Sequence, residues 1–158
     1  MKNTNLSYNG EVTIEIKKGN YIIKKIKTHN NGTNLLFSRL ASALYGKYDN
    51  SLHPQYVRLF NRVSTGEGSN IQFIDNPSST RNVRYTKINV ETIDSLDTTS
   101  VEFKFYIPFT EIIANTNILK LFSDTGIEQP LAEVSLEDEI INDNISDIII
   151  YWKLYITN

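Results

Sequence analysis

The groups able to do chemistry are few in this 158-residue chain, and their spacing suits few reactions. Its two histidines, His29 and His53, stand 24 residues apart with no HExxH or similar ligand pattern, so no zinc centre is expected. Cysteine is absent, which excludes a disulfide scaffold, a cysteine nucleophile and a thiolate-held zinc or iron–sulfur centre. No GxSxG elbow occurs; a Ser–His–Asp arrangement needs only proximity in space and stays open on sequence alone. Gly66-Glu67-Gly68 lacks the following Gly-Lys-Ser/Thr of a phosphate loop.

Carboxylates are more numerous. The run "EDEIINDNISD" gathers Glu137, Asp138, Glu139, Asp143, Asn144 and Asp147, hard oxygen ligands of the kind calcium takes. It lacks the glycine and ligand periodicity of an EF-hand and reads as a solvated turn. Two carboxylates about 5–9.5 Å apart would serve glycoside hydrolysis, but 18 acidic residues supply such pairs by chance. Tyr45, Tyr48, Tyr56, Tyr106, Tyr151 and Tyr155 could stack on sugars, although cross-strand packing explains most of them. No catalytic residue, cofactor-binding residue or metal ligand is assigned, and the chain is expected not to be an enzyme.

The densest polar cluster lies in "THNNGTNLLFSRLASALYG", residues 28–46. Asn30, Asn31 and Gly32 tolerate left-handed backbone angles where a strand turns into a helix, and Thr33 or Asn34 can cap the first helical N–H groups. Leu36, Phe37, Leu40, Ala41 and Leu44 form one apolar stripe, which predicts a helix over residues 34–45 with Gly46 just past its end. Three turns are marginal alone and must lie on a sheet. His29 is then a structural residue at a strand end.

The rest predicts strands. "EVTIEIKKGNYIIKKIK" is a hairpin about Gly19-Asn20, and "HPQYVRLFNR" is a short strand. Residues 63–80, "VSTGEGSNIQFIDNPSST", read as a long exposed loop. Residues 81–93 extend, and in "VEFKFYIPF" Val101, Phe103, Phe105, Ile107 and Phe109 face one way. "NILKLFSD" and "PLAEVSLE" are shorter strands joined through Thr125-Gly126, and "DIIIYWKLYITN" closes with Ile148, Ile150, Trp152, Leu154 and Ile156 alternating. Short strands at regular spacing and one helix predict a mainly β chain, a β-sandwich or jelly roll with one short α-helix packed on it, as a single domain over residues 1–158.

Composition agrees: 21 Ile and 18 Asn stand against 4 Ala, which disfavours a helix bundle. A single domain of this length buries roughly 70% of its unfolded surface and folds without staples. No apolar run approaches the ~20 residues of a membrane span, no signal-peptide core opens the chain, and the missing cysteines fit a reducing cytoplasm. Net charge is −2, which argues against general nucleic-acid binding. The charge is unevenly spread. Residues 1–62 hold 10 Lys/Arg and 3 Asp/Glu, whereas residues 63–158 hold 6 and 15. Two halves pairing within one fold account for this; complementary faces that steer subunits head to tail are the sharper reading.

In order, "GEVTIEIKKG", "HNNGTNLLFSRLASALYG", "PQYVRLFN", "RNVRYTKINV", "VEFKFYIPF", "LKLFSD…PLAEVSL" and "DIIIYWKLYITN" resemble small structural proteins of tailed bacteriophages, crAss-like gut phages among them. The resemblance covers most of the chain from Gly10 to Asn158. It implies a non-enzymatic virion subunit of the tail, neck or fibre region, assembled in the host bacterial cytoplasm. A ring or collar of the tail is the leading expectation. Its partners would be copies of itself and other virion proteins of the tail or portal region, with no membrane and no specific nucleic acid. The alternative is a fibre or baseplate module that binds a host glycan or receptor. Residues 63–80 and 137–147 are the candidate contact segments.

Overall fold

The computed structural model of the chain describes residues 7–31, 36, 38, 46, 53–93, 98–123 and 129–157. Nine strands make up the element order: β1 Ser7–Lys18, β2 Tyr21–Asn31, β3 Tyr56–Thr65, β4 Gln72–Pro77, β5 Val83–Ile93, β6 Thr98–Ile107, β7 Thr116–Phe122, β8 Ala132–Ile140 and β9 Asp147–Thr157. A 3-10 turn, Phe109–Glu111, follows β6. Every pairing is antiparallel and the sheet runs β2-β1-β9-β6-β5-β3-β7-β8, with β4 branching off β3. The two ends of this path, β2 and β8, lie beside each other, so the sheet is nearly closed into a barrel.

The expected sandwich or jelly roll therefore gives way to a coarser description, mainly β with a barrel-like sheet. The link is short: Tyr56 and Val57 of β3 pair with Arg84 and Val83 of β5, which joins what would otherwise be two sheets. Among the described residues no α-helix is complete. Leu36 and Ser38 have helical backbone and Leu36 is buried in the main core, while the remainder of the helix predicted over residues 34–45 lies outside the described residues.

Alternation builds the interior. Across β1, β9 and β6 the inward side chains stand in rows: Val12 beside Trp152 beside Phe103, Ile14 beside Ile150 beside Phe105, and Ile16 beside Ile148 beside Ile107. Leu59, Leu119, Leu121 and Val134 close the other wall. Outside that wall Phe60, Ile118 and Phe122 form a second, smaller cluster with Tyr56. Phe109 leaves the pattern because Pro108 ends β6 and the 3-10 turn carries the ring outward.

Two expectations about loops need correction. Asn30 and Asn31 belong to β2 rather than to a hinge: Asn30 is buried opposite Gly10, where a Cβ would meet its Oδ1 at 2.0 Å. The strand runs on because Gly10 leaves room for that amide. Gly32, Thr33 and Asn34 lie outside the described residues. Residues 63–80 are also no loop. They complete a β-hairpin in which Val63 pairs Ile74, Ser64 pairs Phe73 and Thr65 pairs Gln72, with a turn at 66–71. Gly66 makes that turn possible, with φ +95° and only 2.2 Å between an added Cβ and the Asn70 carbonyl oxygen. Gly66→Ala should therefore distort this hairpin and leave the barrel folded, read as exchange of the amides in residues 63–74 speeding up while those of β9 keep their protection.

Candidate functional site

Antiparallel alternation sends four connections to one rim: the β1–β2 turn at 19–20, the β3–β4 tip at 66–71, the β6–β7 segment at 108–115 and the β8–β9 segment at 141–146. That rim collects apolar surface. Of fourteen exposed large hydrophobic residues among those described, eleven lie there: Tyr21, Ile22 and Ile23, then Val63, Ile71, Phe73 and Ile74, then Phe109, Ile113, Ile141 and Ile145. Phe73 is 70% exposed and Tyr21 79%. Ordinary surfaces scatter such side chains singly; a cluster marks a site of association.

The β3–β4 hairpin stands out from this rim as an arm, and its root is built from amides and charges. Where β3 outruns β7, the Asn117 side chain takes over the missing strand: Arg62 N–H donates to its Oδ1 at 2.7 Å, and its Nδ2–H donates to Arg62 O at 3.0 Å. The Asn115 carbonyl accepts from Ser78 Oγ at 2.6 Å and Asn61 Nδ2 at 3.2 Å, and Asn61 Nδ2 also donates to Glu139 Oε1 at 2.9 Å. Asn142 N–H donates to Asn115 Oδ1 at 2.9 Å, and Asn142 Nδ2 donates to Ile112 O at 3.1 Å, tying the 141–146 segment to the same knot. These asparagines replace ladder hydrogen bonds where strands run out.

On the adjoining face, two cations meet two carboxylates. Arg62 Nε and Nη2 donate to Asp75 at 2.6 and 2.9 Å, and Arg62 Nη1 reaches Glu133 at 2.8 Å. Lys120 Nζ lies 2.5 Å from Asp75 and 3.7 Å from Glu133. The arm is thereby locked to β7 and β8. The bidentate Arg62 hydrogen bond, followed by that from Lys120, holds the Asp75 carboxyl down at about 2 against desolvation. A carboxyl depressed in the folded state contributes stability above its ordinary value of 3.8 that is lost as pH falls through about 2. The expected contribution is roughly 2 kcal/mol. Urea unfolding between about pH 4 and about pH 2 should show a steeper decline for the parent than for Asp75→Asn, and parallel declines would refute the linkage.

The acidic segment divides. Glu137, Asp138 and Glu139 lie on β8. Asp143 folds its carboxylate onto its own turn, Oδ1 accepting from Ile145 N at 3.0 Å and Ser146 N at 2.8 Å and Oδ2 from Ser146 Oγ at 2.5 Å, which lowers its proton affinity. Asn144 takes the left-handed position there, φ 60°. Asp147 accepts from Tyr106 OH at 2.8 Å and Phe109 N at 2.9 Å, pushing the Tyr106 phenol up. Among the described residues no group of three or more His, Asp or Glu could hold a metal ion.

The remaining sequence candidates are dispersed. His29 is exposed on β2 opposite Glu11, and His53 precedes β3. Tyr106, Tyr151 and Tyr155 share the outer face of β6 and β9, but only Tyr106 is exposed, and Lys104 Nζ lies 5.7 Å from the Tyr151 ring centre. Tyr56 packs on the Phe60 cluster; Tyr45 and Tyr48 lie outside the described residues. The two charge halves meet through Lys24–Asp138 at 3.4 Å, Arg62–Asp75 and Arg62–Glu133. Charge pairing within the fold thus uses part of the asymmetry, while Lys17, Lys18 and Lys27 join no ion pair among the described residues.

Sequence reading missed both the arm and the rim. The alternation of Gln72 to Pro77 is too short to announce a strand, and a shared rim is a property of topology. No protein-family model, curated protein or solved structure matches this chain.

Proposed function

We propose that the chain is a non-enzymatic structural subunit of a tailed-phage virion that assembles with copies of itself into a ring or collar of the tail or neck. The observation that carries the assembly is the apolar rim around a projecting arm, eleven large hydrophobic side chains on the surface of one small chain. Isolated in water, that surface costs free energy which association recovers. The phage setting rests on the ordered strand pattern described above. A contact between two different surfaces of neighbouring copies closes a ring when the rotation between them closes.

Light scattering at low and moderate salt tests this. A discrete oligomer whose mass falls as salt rises is the expected result, because the uneven charge assists a contact that apolar surface drives. A monomer at every concentration would count against self-assembly. If that monomer bound immobilised glycans, it would be a fibre or baseplate module instead.

A further inference from the structure

Among the described residues the sheet leaves three strand edges open on each copy, those of β2, β8 and β4. The path of the sheet ends at β2 and β8, which lie side by side without pairing and are bridged by Lys24–Asp138 at 3.4 Å. Between them lies a groove of about 350 Å³ lined by Lys25, Ile26, Lys27, Thr28 and His29 of β2 and by Glu137 and Asp138 of β8. The third is β4, which pairs only with β3 among the described residues. An open edge is a template for another strand. We propose that β4 of one copy lies along the β2 edge of the next, the arm entering the groove between β2 and β8 and extending the neighbour's sheet. The idea rests on the self-assembly proposed above and names its contact.

Charge selects this pairing over the others. Residues 11–31, the β1–β2 hairpin, hold five lysines and two glutamates; residues 63–77, the arm, hold Glu67 and Asp75 and no base. Lysine-rich β2 edges repel one another, so two β2 strands do not pair. Asp75 is engaged by Arg62 and Lys120, whereas Glu67 at the tip faces solvent and complements Lys17, Lys18 and Lys27. Apolar surface matches as well: Phe73 and Ile74 on the arm meet Tyr21, Ile22 and Ile23 at the head of β2. Donor and acceptor are different surfaces, so each copy can give one arm and receive one.

The absence of cysteine makes the test direct, since introduced thiols are the only ones. The full chain carrying Gln72→Cys and Lys27→Cys, both at exposed positions, is treated with a short bis-maleimide beside each single variant, and the mass of the unmodified chain is followed by light scattering. The double variant should give a ladder of dimers and higher bands, each single variant none, and Phe73→Asp should remove the oligomer while the far-ultraviolet dichroism stays unchanged. An oligomer without a ladder overturns the β4–β2 contact and leaves self-assembly standing. Dimers from Gln72→Cys alone would mean that arms pair with arms, which also overturns it. No oligomer and no ladder would overturn self-assembly together with the contact.

Discussion

Trp152→Ala is expected to lower the free energy of unfolding by about 3–5 kcal/mol, a large share of the roughly 5–15 kcal/mol that holds a small domain folded. Trp152 is fully buried in the middle of β9, flanked in its row by Val12 of β1 and Phe103 of β6. Hydrogen-bonded strands on both sides fix the spacing of those neighbours, so the wall cannot collapse into the space an indole leaves. Trp152→Phe, which keeps an aromatic ring in the row, should cost markedly less. Trp152 is also the only tryptophan, so its fluorescence reports unfolding of the parent, while dichroism serves for the variants. A loss below about 1 kcal/mol would mean that the interior is not packed around this side chain.

The same row shows what was legible in the sequence. Ile148, Ile150, Trp152 and Leu154 are each buried, and apart from the buried Ile149 their neighbours along β9 are half-exposed. Buried likewise are Val12, Ile14 and Ile16, and Phe103, Phe105 and Ile107. Period-two patterning is a local property, and where one face of a strand is dry it writes itself into the chain. The order of strands is different. Whether β5 meets β3 depends on two residue pairs, Tyr56 with Arg84 and Val57 with Val83, contacts that no local pattern encodes. A sandwich and a nearly closed barrel share the same strand signals and differ by that one seam.

The arm was hidden for a related reason. Residues 63–77 are exposed on most sides, so neither strand shows the dry face that alternation detects, and their glycine, serine and asparagine content reads as loop. The one available signal was the short apolar group Ile71, Phe73 and Ile74, in which Ile71 and Phe73 alternate across Gln72. Asn30 and Asn31 misled as well, read as a hinge although they belong to β2. Asn61, Asn115, Asn117 and Asn142 are turn formers by type, yet in three dimensions they stitch strand ends together.

Arg62→Ala should separate the arm from the barrel and cost about 2–3 kcal/mol. Arg62 grips Asp75 with two nitrogens and Glu133 with a third, where Lys120 reaches Glu133 only at 3.7 Å, and its guanidinium is firmly protonated because both carboxylates favour the charge. Removing it leaves Lys120 alone against two acids, with hydrogen bonds to Asp75 and Glu133 lost on a face only partly open to water. Arg62→Lys should recover little, since an ammonium cannot form the planar two-pronged contact with Asp75. The main interior contains no residue of the 63–77 arm, so the barrel should stay folded while amides of residues 63–74 lose protection from exchange. If the arm is the assembling element, the oligomer weakens in step with that loss of protection. A stable barrel with a loosened arm and an undiminished oligomer would separate the two roles and place the contact on the remaining rim, at Tyr21, Phe109 or Ile141. Unchanged stability with unchanged protection would instead show that the strand pairing of Asn61 to Thr65 holds the arm without help from charge.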